Sequence, residues 1–472
     1  MHVLGFLEFQ PSSMINIVNH PQSVVFYFPY ISRPCEIMTN DKKISVFWFR
    51  RDLRPNDNHG LFVALKAGKP VLPIFIFDKN ILDHLTSKKD ARVTFIYDSL
   101  AILNKKLKEV GSSLFILHDT PSSAFKKLTE AFNIEAVYTN HDYEPYAIQR
   151  DKEISDLLSG KSITFNTFKD QVLFEKDEIL KSDGSPYTIF TPYSRVWKSK
   201  YESEKSNNFL SEKHSDNFIK ISPFKFPELK ELGFERSDIK IPPLNIDEPI
   251  VKDYDKTRNI PAINGTTKLS IHLRFGTVSV RKLAKVALSL NESWLNELIW
   301  REFFMMILFH FPEVVTKSFK AKYDNIKWRN DEKDFSAWCK GETGYLIVDA
   351  GMKELNKTGW MHNRVRMTVA SFLTKHLLID WRWGEAYFAE KLLDYELSSN
   401  NGNWQWSAGC GCDAAPYFRI FNPSEQTKKF DPDLKYISKW LGDPNEYDVL
   451  PIVEHSFARK RALETYKKYL TQ

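Results

Sequence analysis

Between residues 44 and 140, short apolar runs rich in β-forming residues alternate with helical stretches. The apolar runs are residues 44–49, 71–77, 114–117 and 136–140, and the clearest helical stretch is 91–111. Strands that alternate with helices predict a parallel sheet, because a crossover helix returns the chain to the edge from which the previous strand began. Helices then cover both faces of the sheet. We therefore expect this part of the chain to be an α/β, doubly wound, Rossmann-like domain.

The pattern changes twice further along the chain. From residue 171 to 256 it dissolves into lysine, serine, asparagine and repeated proline, which predicts a long interdomain connector with a few local turns. From 257 to 472 the apolar residues are spaced by three and four, which predicts an all-helical domain. The α/β domain is expected at 42–170. Residues 1–41 lack periodicity, and we expect a disordered extension or a misassigned start there.

The composition excludes some classes of protein. At 472 residues and 42% hydrophobic content, the chain can bury a large core. No apolar run approaches the length of a membrane-spanning helix, and the N-terminus lacks the pattern of a secretory signal. We expect a cytoplasmic protein with no membrane association. Four scattered cysteines predict reduced, structural thiols and no metal site.

Charge and aromatic content do not decide which class of ligand the protein binds. A net charge of +6 suits a polyanionic partner without demanding one. An aromatic content of 14% fits flat ligands or nucleic-acid bases, but a large aromatic core accounts for it as well.

Two helical motifs carry candidate ligand-binding side chains. Glu297 and Trp300 are three residues apart and share a helix face, although a surface acid beside the edge of a core has the same spacing. Asn363, Arg366 and Met367 share another face. An amide, a guanidinium and a thioether suit a ligand better than a core, and a solvated charged stripe is the alternative.

Two polar segments add candidate ligands for a cofactor. Gly265 is followed, just before a helical run, by three hydroxyl residues, Thr266, Thr267 and Ser270. The N–H groups at a helix N-terminus can hold phosphate, although such a turn is usually only a cap. The second segment offers two carboxylates and an amide that could bind the ring N–H groups of a flat heterocycle: Asp394, Glu396 and Asn400.

Eight motifs occur along the chain in a fixed order: WFRRDLR, GTTKLS, NELIWREFF, TGWMHNRVRM, DWRWGE, NNGNWQW, DAAPYFRIFNP and ARKRALETY. Their wording and order resemble the photolyase/cryptochrome family, most nearly the class I cyclobutane pyrimidine dimer photolyases, over residues 44–472. The resemblance implies flavin adenine dinucleotide (FAD) folded into a U inside the helical domain. It also implies a monomeric carbon–carbon lyase that acts on UV-damaged DNA. In the family, excited reduced FAD transfers an electron to a flipped-out dimer, which is thereby repaired.

The resemblance assigns cofactor-binding roles to individual residues. The matching positions are Tyr254, Thr266, Thr267, Lys268, Leu269, Ser270, Arg301, Arg366, Asp394, Glu396 and Asn400. Arg366 and Asp394 are expected to form a salt bridge against the flavin, and Asn400 matches the residue that faces flavin N5.

The resemblance also places the DNA lesion. The pocket for the dimer would be lined by Glu297, Trp300, Asn363, Met367 and Trp406. The two tryptophans would stack on the dimer, and Glu297 and Asn363 would hydrogen-bond its carbonyl groups. DNA contacts are expected from Glu297, Trp300, Arg301, Asn363, Arg364, Arg419 and Gln426.

Three tryptophans match the family's electron path from the protein surface to the flavin. They are Trp404, Trp381 and Trp328, counted outward from the flavin, and the path photoreduces the cofactor. For Trp381 and Trp328 taken singly, ordinary core packing is the alternative.

The chain departs from the family pattern at several positions. Glu396 stands where many relatives carry aspartate, which adds one methylene near the flavin. Tyr146 and Ala147 replace the Asn-Glu pair of members with a folate antenna, so a folate is not expected. Either a different antenna chromophore or none at all stays open. Met367 matches dimer photolyases rather than the histidine pair of (6-4) photolyases, which favours repair.

Two other functions remain as alternatives. One is a cryptochrome-like blue-light photoreceptor that binds the same flavin without repairing DNA. The other is a flavin-free nucleotide-binding protein built on the parallel sheet.

Overall fold

The computed structural model describes residues 42–204 and 208–470. An N-terminal unit with a parallel sheet precedes a helical unit, which confirms the predicted α/β fold with an all-helical second part. The extension expected at residues 1–41 lies outside the described residues. The proposed division at 42–170, 171–256 and 257–472 stays a prediction.

The sheet has five strands in the order β3-β2-β1-β4-β5, and every paired neighbour runs parallel. The strands are β1 (Ile44–Phe49), β2 (Val71–Asp78), β3 (Phe115–Asp119), β4 (Ile134–Asn140) and β5 (Thr164–Phe168). The four apolar runs of the sequence are the first four strands. The polar segment TFNTF of β5 is partly exposed at the sheet edge, so it gave no apolar signal.

The first five helices flank this sheet, and the next three lie in the segment after it and pack on the helical unit. They are α1 (His59–Lys66), α2 (Lys79–Leu82), α3 (Ala91–Glu109), α4 (Pro121–Ala131), α5 (Pro145–Ser159), α6 (Phe190–Glu204), α7 (Glu248–Lys252) and α8 (Tyr254–Thr257).

The remaining helices build the second unit. They are α9 (Ser270–Arg274), α10 (Val280–Leu290), α11 (Glu292–His310), α12 (Glu332–Lys340), α13 (Leu346–Thr358), α14 (Asn363–Ser371), α15 (Trp381–Lys391), α16 (Leu397–Ala408), α17 (Pro423–Phe430), α18 (Lys435–Leu441) and α19 (His455–Leu470). A π-helical turn, Phe372–His376, continues α14.

The predicted connector contains a 15-residue helix, α6, as well as local turns. Tyr193 and Trp197 lie one helical turn apart on α6 and are buried in the core of the helical unit. The carboxylate of Glu302 on α11 accepts hydrogen bonds from the backbone N–H of Leu173 and from the Trp197 indole. The prolines and polar residues of this region obscured the helical spacing of its aromatic residues.

The two units meet in a close backbone contact that involves Gly276. The N–H of Leu53, which follows β1, donates to the carbonyl oxygen of Phe275 at 3.0 Å. Gly276 has φ +63°, and a Cβ built there would lie 2.1 Å from the carbonyl oxygen of Arg51. The sheet unit therefore packs against the helical unit through a position that only glycine can occupy.

None of the helices in the described ranges combines the length and the apolar character that crossing a bilayer requires. Cys339, Cys410 and Cys412 are free thiols. Burial raises the pKa of Cys339 and Cys410 to about 12 and that of Cys412 to about 11, so these side chains stay protonated. This agrees with the prediction of reduced, structural cysteines, while Cys35 lies outside the described residues.

Replacement of Gly276 by alanine tests the contact between the two units. Gly276→Ala should destabilise the protein by about 3 kcal/mol, because a left-handed backbone strain is added to a clash with Arg51. Gly184→Ala is the matched control, since Gly184 has φ +80° with nothing within 4 Å of the added Cβ. It should cost about 1 kcal/mol. Equal shifts of the two urea unfolding midpoints would show that the contact is not tight.

Candidate functional site

A cavity that opens to solvent lies between α14, α15 and α16, and its empty space, which includes its opening, is about 600 Å³. Eight of the predicted site residues line it: Asn363, Arg366, Met367, Asp394, Glu396, Asn400, Trp404 and Trp406. The other lining residues are Ala370, Phe388, Leu392, Ser399, Asn403 and Ser407. The cavity thus joins residues predicted for the flavin to residues predicted for the lesion.

Three of these side chains, Asn363, Arg366 and Met367, belong to the first turns of α14. His362 caps the helix, and its Nδ1 accepts a hydrogen bond from the N–H of Arg364 at 3.2 Å. An accepting Nδ1 requires the neutral imidazole with its proton on Nε2. Burial, together with the charges of Arg366 and Arg364, lowers the pKa of His362 to about 4, so the cap is intact at neutral pH. Sequence analysis missed this cap because a histidine is not a usual N-cap residue.

Arg366 and Asp394 form the predicted salt bridge. Arg366 Nη2 lies 3.0 and 3.2 Å from the two carboxylate oxygens of Asp394, and Arg366 Nε donates to the carbonyl oxygen of Met361 at 2.7 Å. The Asp394 side chain is only 6% exposed. A carboxylate so buried needs its partner, and the pair joins the wall made by α14 to the turn before α16.

Glu385 fixes the orientation of the Asn400 amide. Asn400 Nδ2 donates to the Glu385 side chain at 2.8 Å and to the Glu385 carbonyl oxygen at 3.1 Å. The hydrogen-bond network therefore places both N–H groups on Glu385 and leaves Oδ1 as the free acceptor. Burial raises the pKa of Glu385, and the hydrogen bond from Asn400 opposes that shift. Glu385 is the last residue of the motif DWRWGE, but sequence analysis selected only Trp381 from that motif.

Trp404 and Trp406 line the same cavity in different surroundings. Trp404 is 2% exposed and meets Phe388 and Trp338 edge to face, with ring centroids 5.1 and 6.1 Å away. Gly384 on α15 leaves room for it, since a Cβ there would lie 2.1 Å from the indole. Trp406 is half-buried, with the Arg419 guanidinium 6.0 Å from its ring.

The other two predicted electron-path residues have separate contacts. Trp381 begins α15, is buried, and has the Arg382 guanidinium 4.7 Å from its ring. Trp328 is partly buried, and its ring centroid is 6.0 Å from that of Tyr466. The role of these two residues in an electron path stays a prediction.

Glu297 lies outside the cavity lining and pairs with Arg258. Their closest side-chain atoms are 2.7 Å apart, and the Arg258 guanidinium also lies 5.4 Å from the ring of Tyr254. Burial raises the pKa of Glu297, and Arg258 opposes that shift. Arg258 gave no signal in the sequence, because it lies in a charged turn with no periodicity.

Trp300 stacks on a residue of α6. The rings of Trp300 and Phe190 are parallel within 4°, with centroids 3.7 Å apart, and Phe304 lies 5.5 Å away on a tilted plane. Trp300 is not among the lining residues of the cavity. Its predicted role as a wall of the lesion pocket is untested by this geometry, and Phe190 is a neighbour that sequence analysis missed.

The segment predicted to hold the cofactor phosphates also lies outside the cavity lining. It comprises Tyr254, Thr266, Thr267, Lys268, Leu269 and Ser270. The Lys268 ammonium lies 4.6 Å from the ring of Trp360, in the same chain segment as His362. Burial lowers the pKa of Lys268. The segment keeps its predicted role, which no contact in the structure tests.

Two of the predicted DNA contacts, Arg364 and Arg419, lie against side chains that line the cavity. Arg364 donates to Asn259 at 2.6 Å, and its guanidinium lies 4.3 Å from the Phe430 ring. The charges of Arg258 and Arg419 both lower its pKa, after burial. Arg419 is exposed and Gln426 is half-buried. Arg364 and Arg419 produce a positive potential that suits phosphate groups.

Two buried polar atoms at the Glu396 side of the cavity have unused hydrogen-bonding capacity. Arg301 Nη2 and Glu396 Oε2 form an ion pair at 3.5 Å and make no hydrogen bond. Such atoms are costly unless a ligand or water satisfies them. A flat ligand with both N–H and carbonyl groups on its edge, such as the flavin ring of FAD, satisfies this donor and acceptor set. Within the described ranges, no group of His, Cys, Asp or Glu is arranged to hold a metal ion.

Comparisons with known proteins agree with this geometry. Residues 45–211 match the family model for DNA photolyase, and residues 294–449 match the model for the FAD binding domain of DNA photolyase. A deoxyribodipyrimidine photo-lyase from Synechococcus is 37% identical over 423 residues, which cover 84% of this chain and 87% of the relative.

Two solved structures extend the similarity to the fold. A class III photolyase from Agrobacterium tumefaciens has a TM-score of 0.79 at 33% identity, covering 92% of this chain and 99% of that structure. An archaeal photolyase from Sulfolobus tokodaii, solved with two FAD molecules, has a TM-score of 0.77 at 32% identity, covering 90% and 99%. Its second FAD is described as implying a novel light-harvesting cofactor.

The neutral His362 cap predicts a specific loss of stability in acid. A histidine whose pKa is lowered on folding contributes stability above its ordinary pKa of 6.5, and that contribution is lost as pH falls toward about 4. Between pH 7 and pH 5 the loss should be about 2 kcal/mol. His362→Asn keeps a capping oxygen that does not titrate.

Urea denaturation of both proteins at the two pH values measures the effect. The wild type should lose about 2 kcal/mol more than His362→Asn between pH 7 and pH 5. His362→Ala, which lacks any cap, should be less stable than His362→Asn at both pH values by about 1 kcal/mol. Parallel pH dependence in all three proteins would refute the assignment of the neutral cap.

Proposed function

The chain belongs to the DNA photolyase family, and we propose from this that it is a deoxyribodipyrimidine photo-lyase that repairs cyclobutane pyrimidine dimers in DNA with light. The observation that carries this function is a shared cavity. Arg366, Asp394 and Asn400, predicted for the flavin, line the same space as Asn363, Met367 and Trp406, predicted for the lesion. A repair site needs this arrangement, because electron transfer from a cofactor to a lesion requires the two to be close.

FAD, when bound, supplies the absorption of light and the electron that cleaves the dimer. The residues that would hold its ring are Arg366, Asp394 and Asn400, together with Arg301 and Glu396. Asn400 presents its carbonyl oxygen, which can accept a hydrogen bond from an N–H of the reduced ring. The phosphates are assigned to Tyr254 and to Thr266, Thr267, Lys268, Leu269 and Ser270.

The dimer must leave the duplex to enter the cavity, and a damaged base pair costs less to unstack than an intact one. Trp406 is half-buried at the cavity and offers an indole on which a flipped base can stack. Asn363 and Met367 line the cavity from α14. We assign Trp300 to the same pocket, where its stacking on Phe190 would hold its plane fixed.

Glu297 is suited to support negative charge on the lesion. A carboxyl group can donate a hydrogen bond to a pyrimidine carbonyl only while it carries a proton. Burial raises the pKa of Glu297 and so favours that form, although its pairing with Arg258 opposes it. We propose that Glu297 and Asn363 hydrogen-bond the carbonyl groups on which charge develops.

The surface around the cavity fits the DNA backbone. Arg364, Arg419 and Gln426 are our proposed contacts. Arg258 joins them, because its charge lowers the pKa of Arg364 and so adds to the same positive potential. Phosphate contacts of this kind position the duplex and carry no sequence information. A lesion can therefore be bound in any sequence context.

A second chromophore remains open for this chain. Tyr146, which replaces the asparagine of the folate-antenna pattern, donates its hydroxyl to Asp78 at 2.5 Å. We propose that no folate binds and that any antenna is of another kind. A cytoplasmic location with access to DNA and a monomeric state are also part of this proposal.

Light-dependent repair is the direct test of the proposed function. Purified protein with reduced flavin should convert a cyclobutane thymine dimer in a short oligonucleotide back to two thymines under blue light. Chromatography of the oligonucleotide before and after illumination measures this, with a dark sample as the control. Binding to the lesion without conversion under light would favour the cryptochrome-like alternative.

Trp404 is expected to feed electrons to the flavin and to take no part in dimer splitting. Trp404→Phe should slow photoreduction of oxidised flavin at least tenfold, because phenylalanine is much harder to oxidise than the buried indole. Repair should persist once the flavin is reduced chemically. Absorption spectra under illumination follow the first property, and the oligonucleotide assay follows the second.

Trp294→Phe is the matched control. Trp294 is buried in the core cluster that contains Tyr193 and Trp197, whereas Trp404 belongs to a separate core cluster. It should leave both properties close to those of the wild type. Loss of both photoreduction and chemically primed repair in Trp404→Phe would show that this ring belongs to the repair site itself.

A further inference from the structure

Glu396 lines the cavity, yet its carboxylate bonds to the N-terminal unit. Its Oε1 accepts hydrogen bonds from Arg51 Nη2 at 2.6 Å and from Arg274 Nη1 at 3.3 Å. Arg51 belongs to the segment that follows β1, so this bond crosses from the sheet unit to the wall of the flavin site. Glu396 is 7% exposed and Arg51 is 10% exposed, so water does not screen the pair.

Arg51 is held by several other groups. Its Nη1 donates to Asp142 at 2.9 Å and to Glu144 at 3.1 Å, and its Nε donates to the carbonyl oxygen of Arg274 at 3.3 Å. Asp142 and Glu144 follow β4, the neighbour of β1 in the sheet. The guanidinium thus lies at the carboxyl ends of two adjacent strands and reaches the helical unit from there.

The cluster balances three cations against three anions: Arg51, Arg274 and Arg301 against Asp142, Glu144 and Glu396. Burial opposes the charge on Arg51, but Asp142, Glu396 and Glu144 outweigh it, so the pKa of Arg51 is raised. Burial likewise opposes the charge on Glu396, and the three arginines outweigh it, so the pKa of Glu396 is lowered. Arg51 and Glu396 are therefore both charged at neutral pH.

Two atoms of the cluster meet only each other. Glu396 Oε2 and Arg301 Nη2 form an ion pair at 3.5 Å and make no hydrogen bond. Because Arg51 and Arg274 bind only Oε1, Arg301 is the cation that faces Oε2. The N–H of Asn400 also donates to the carbonyl oxygen of Glu396 at 2.8 Å, and Glu396 is the N-cap residue that precedes α16.

From these contacts we propose that Arg51 of the N-terminal unit is a positioning residue for the flavin site. It holds Glu396 in place and neutralises its charge, so that the ion pair of Arg301 Nη2 and Glu396 Oε2 keeps its hydrogen-bonding capacity for the cofactor. The extra methylene of Glu396, relative to aspartate, gives its carboxylate the reach to cross to Arg51. This role rests on the proposed function, since it requires the cavity to bind FAD.

Loss of the Arg51 charge should act on the cofactor in two ways. Glu396 would keep a negative charge with one cation fewer, and that charge would oppose the addition of an electron to a flavin beside it. Arg301 would be drawn toward Glu396 and away from the ligand. The flavin should therefore become harder to reduce and should dissociate more readily.

The test compares Arg51→Met with Arg50→Met. Arg50 is adjacent and as deeply buried, but it bonds to Asp151 and to the Asn140 carbonyl within the N-terminal unit. Arg51→Met should release FAD at least tenfold faster than the wild type, measured by the rise in flavin fluorescence on dilution. Its flavin midpoint potential, measured by spectroelectrochemistry, should be lower. Arg50→Met should release FAD within twofold of the wild-type rate and should leave the midpoint potential unshifted.

A double variant distinguishes an effect of charge on the flavin from an effect of misfolding. The double variant Arg51→Met/Glu396→Gln removes both members of the pair, so it should restore the midpoint potential toward the wild-type value. Arg51→Lys, which keeps the charge, should also keep the potential and serves if Arg51→Met does not fold. A lower melting temperature of Arg51→Met with wild-type FAD release and potential would overturn the proposal, because Arg51 would then be only a link between the units.

The outcomes also distinguish this proposal from the proposed function. If wild-type protein repairs dimers and Arg51→Met keeps normal flavin properties, only the role of Arg51 fails. If the wild type does not retain FAD, both the role of Arg51 and the proposed function fail.

Discussion

The ion pair between Arg366 and Asp394 is the interaction on which the site depends. Asp394 is almost fully buried, and a buried carboxylate without a cation would cost about 3–5 kcal/mol. The pair therefore fixes the distance between α14, which presents Asn363 and Met367, and the turn from which α16 begins. With that distance set, the residues proposed for the lesion and those proposed for the flavin line one cavity.

The turn after α15 also connects the helical unit to the sheet unit through an ion pair. Asp394 bonds to Arg366 within the helical unit, and Glu396, two residues later, bonds to Arg51 in the sheet unit. Gly276 permits the backbones of the two units to approach closely enough for this second bond. The position of the sheet relative to the cavity is thus set by charge pairing and by one glycine, in addition to apolar contact.

Sequence patterns predicted the elements that bury apolar faces, and they failed where contacts are long-range. The runs of β1 to β4 and the helical spacing after 257 were readable because burial repeats with the period of the element. β5 is polar at the sheet edge, and α6 was obscured by prolines. Glu385 and Arg258 act through partners 15 and 39 residues away, and no local pattern reports such a pairing.

Trp404 and Trp406 show how neighbouring residues of one type acquire different roles. They are two positions apart on α16, so they point about 200° apart around the helix axis. Trp404 is sealed among Phe388, Trp338 and the space left by Gly384, where no base could stack on it. Trp406 is half-buried at the cavity, where a flipped base could reach its ring. The difference in burial therefore fits the two proposed roles, electron transfer for Trp404 and stacking on a base for Trp406.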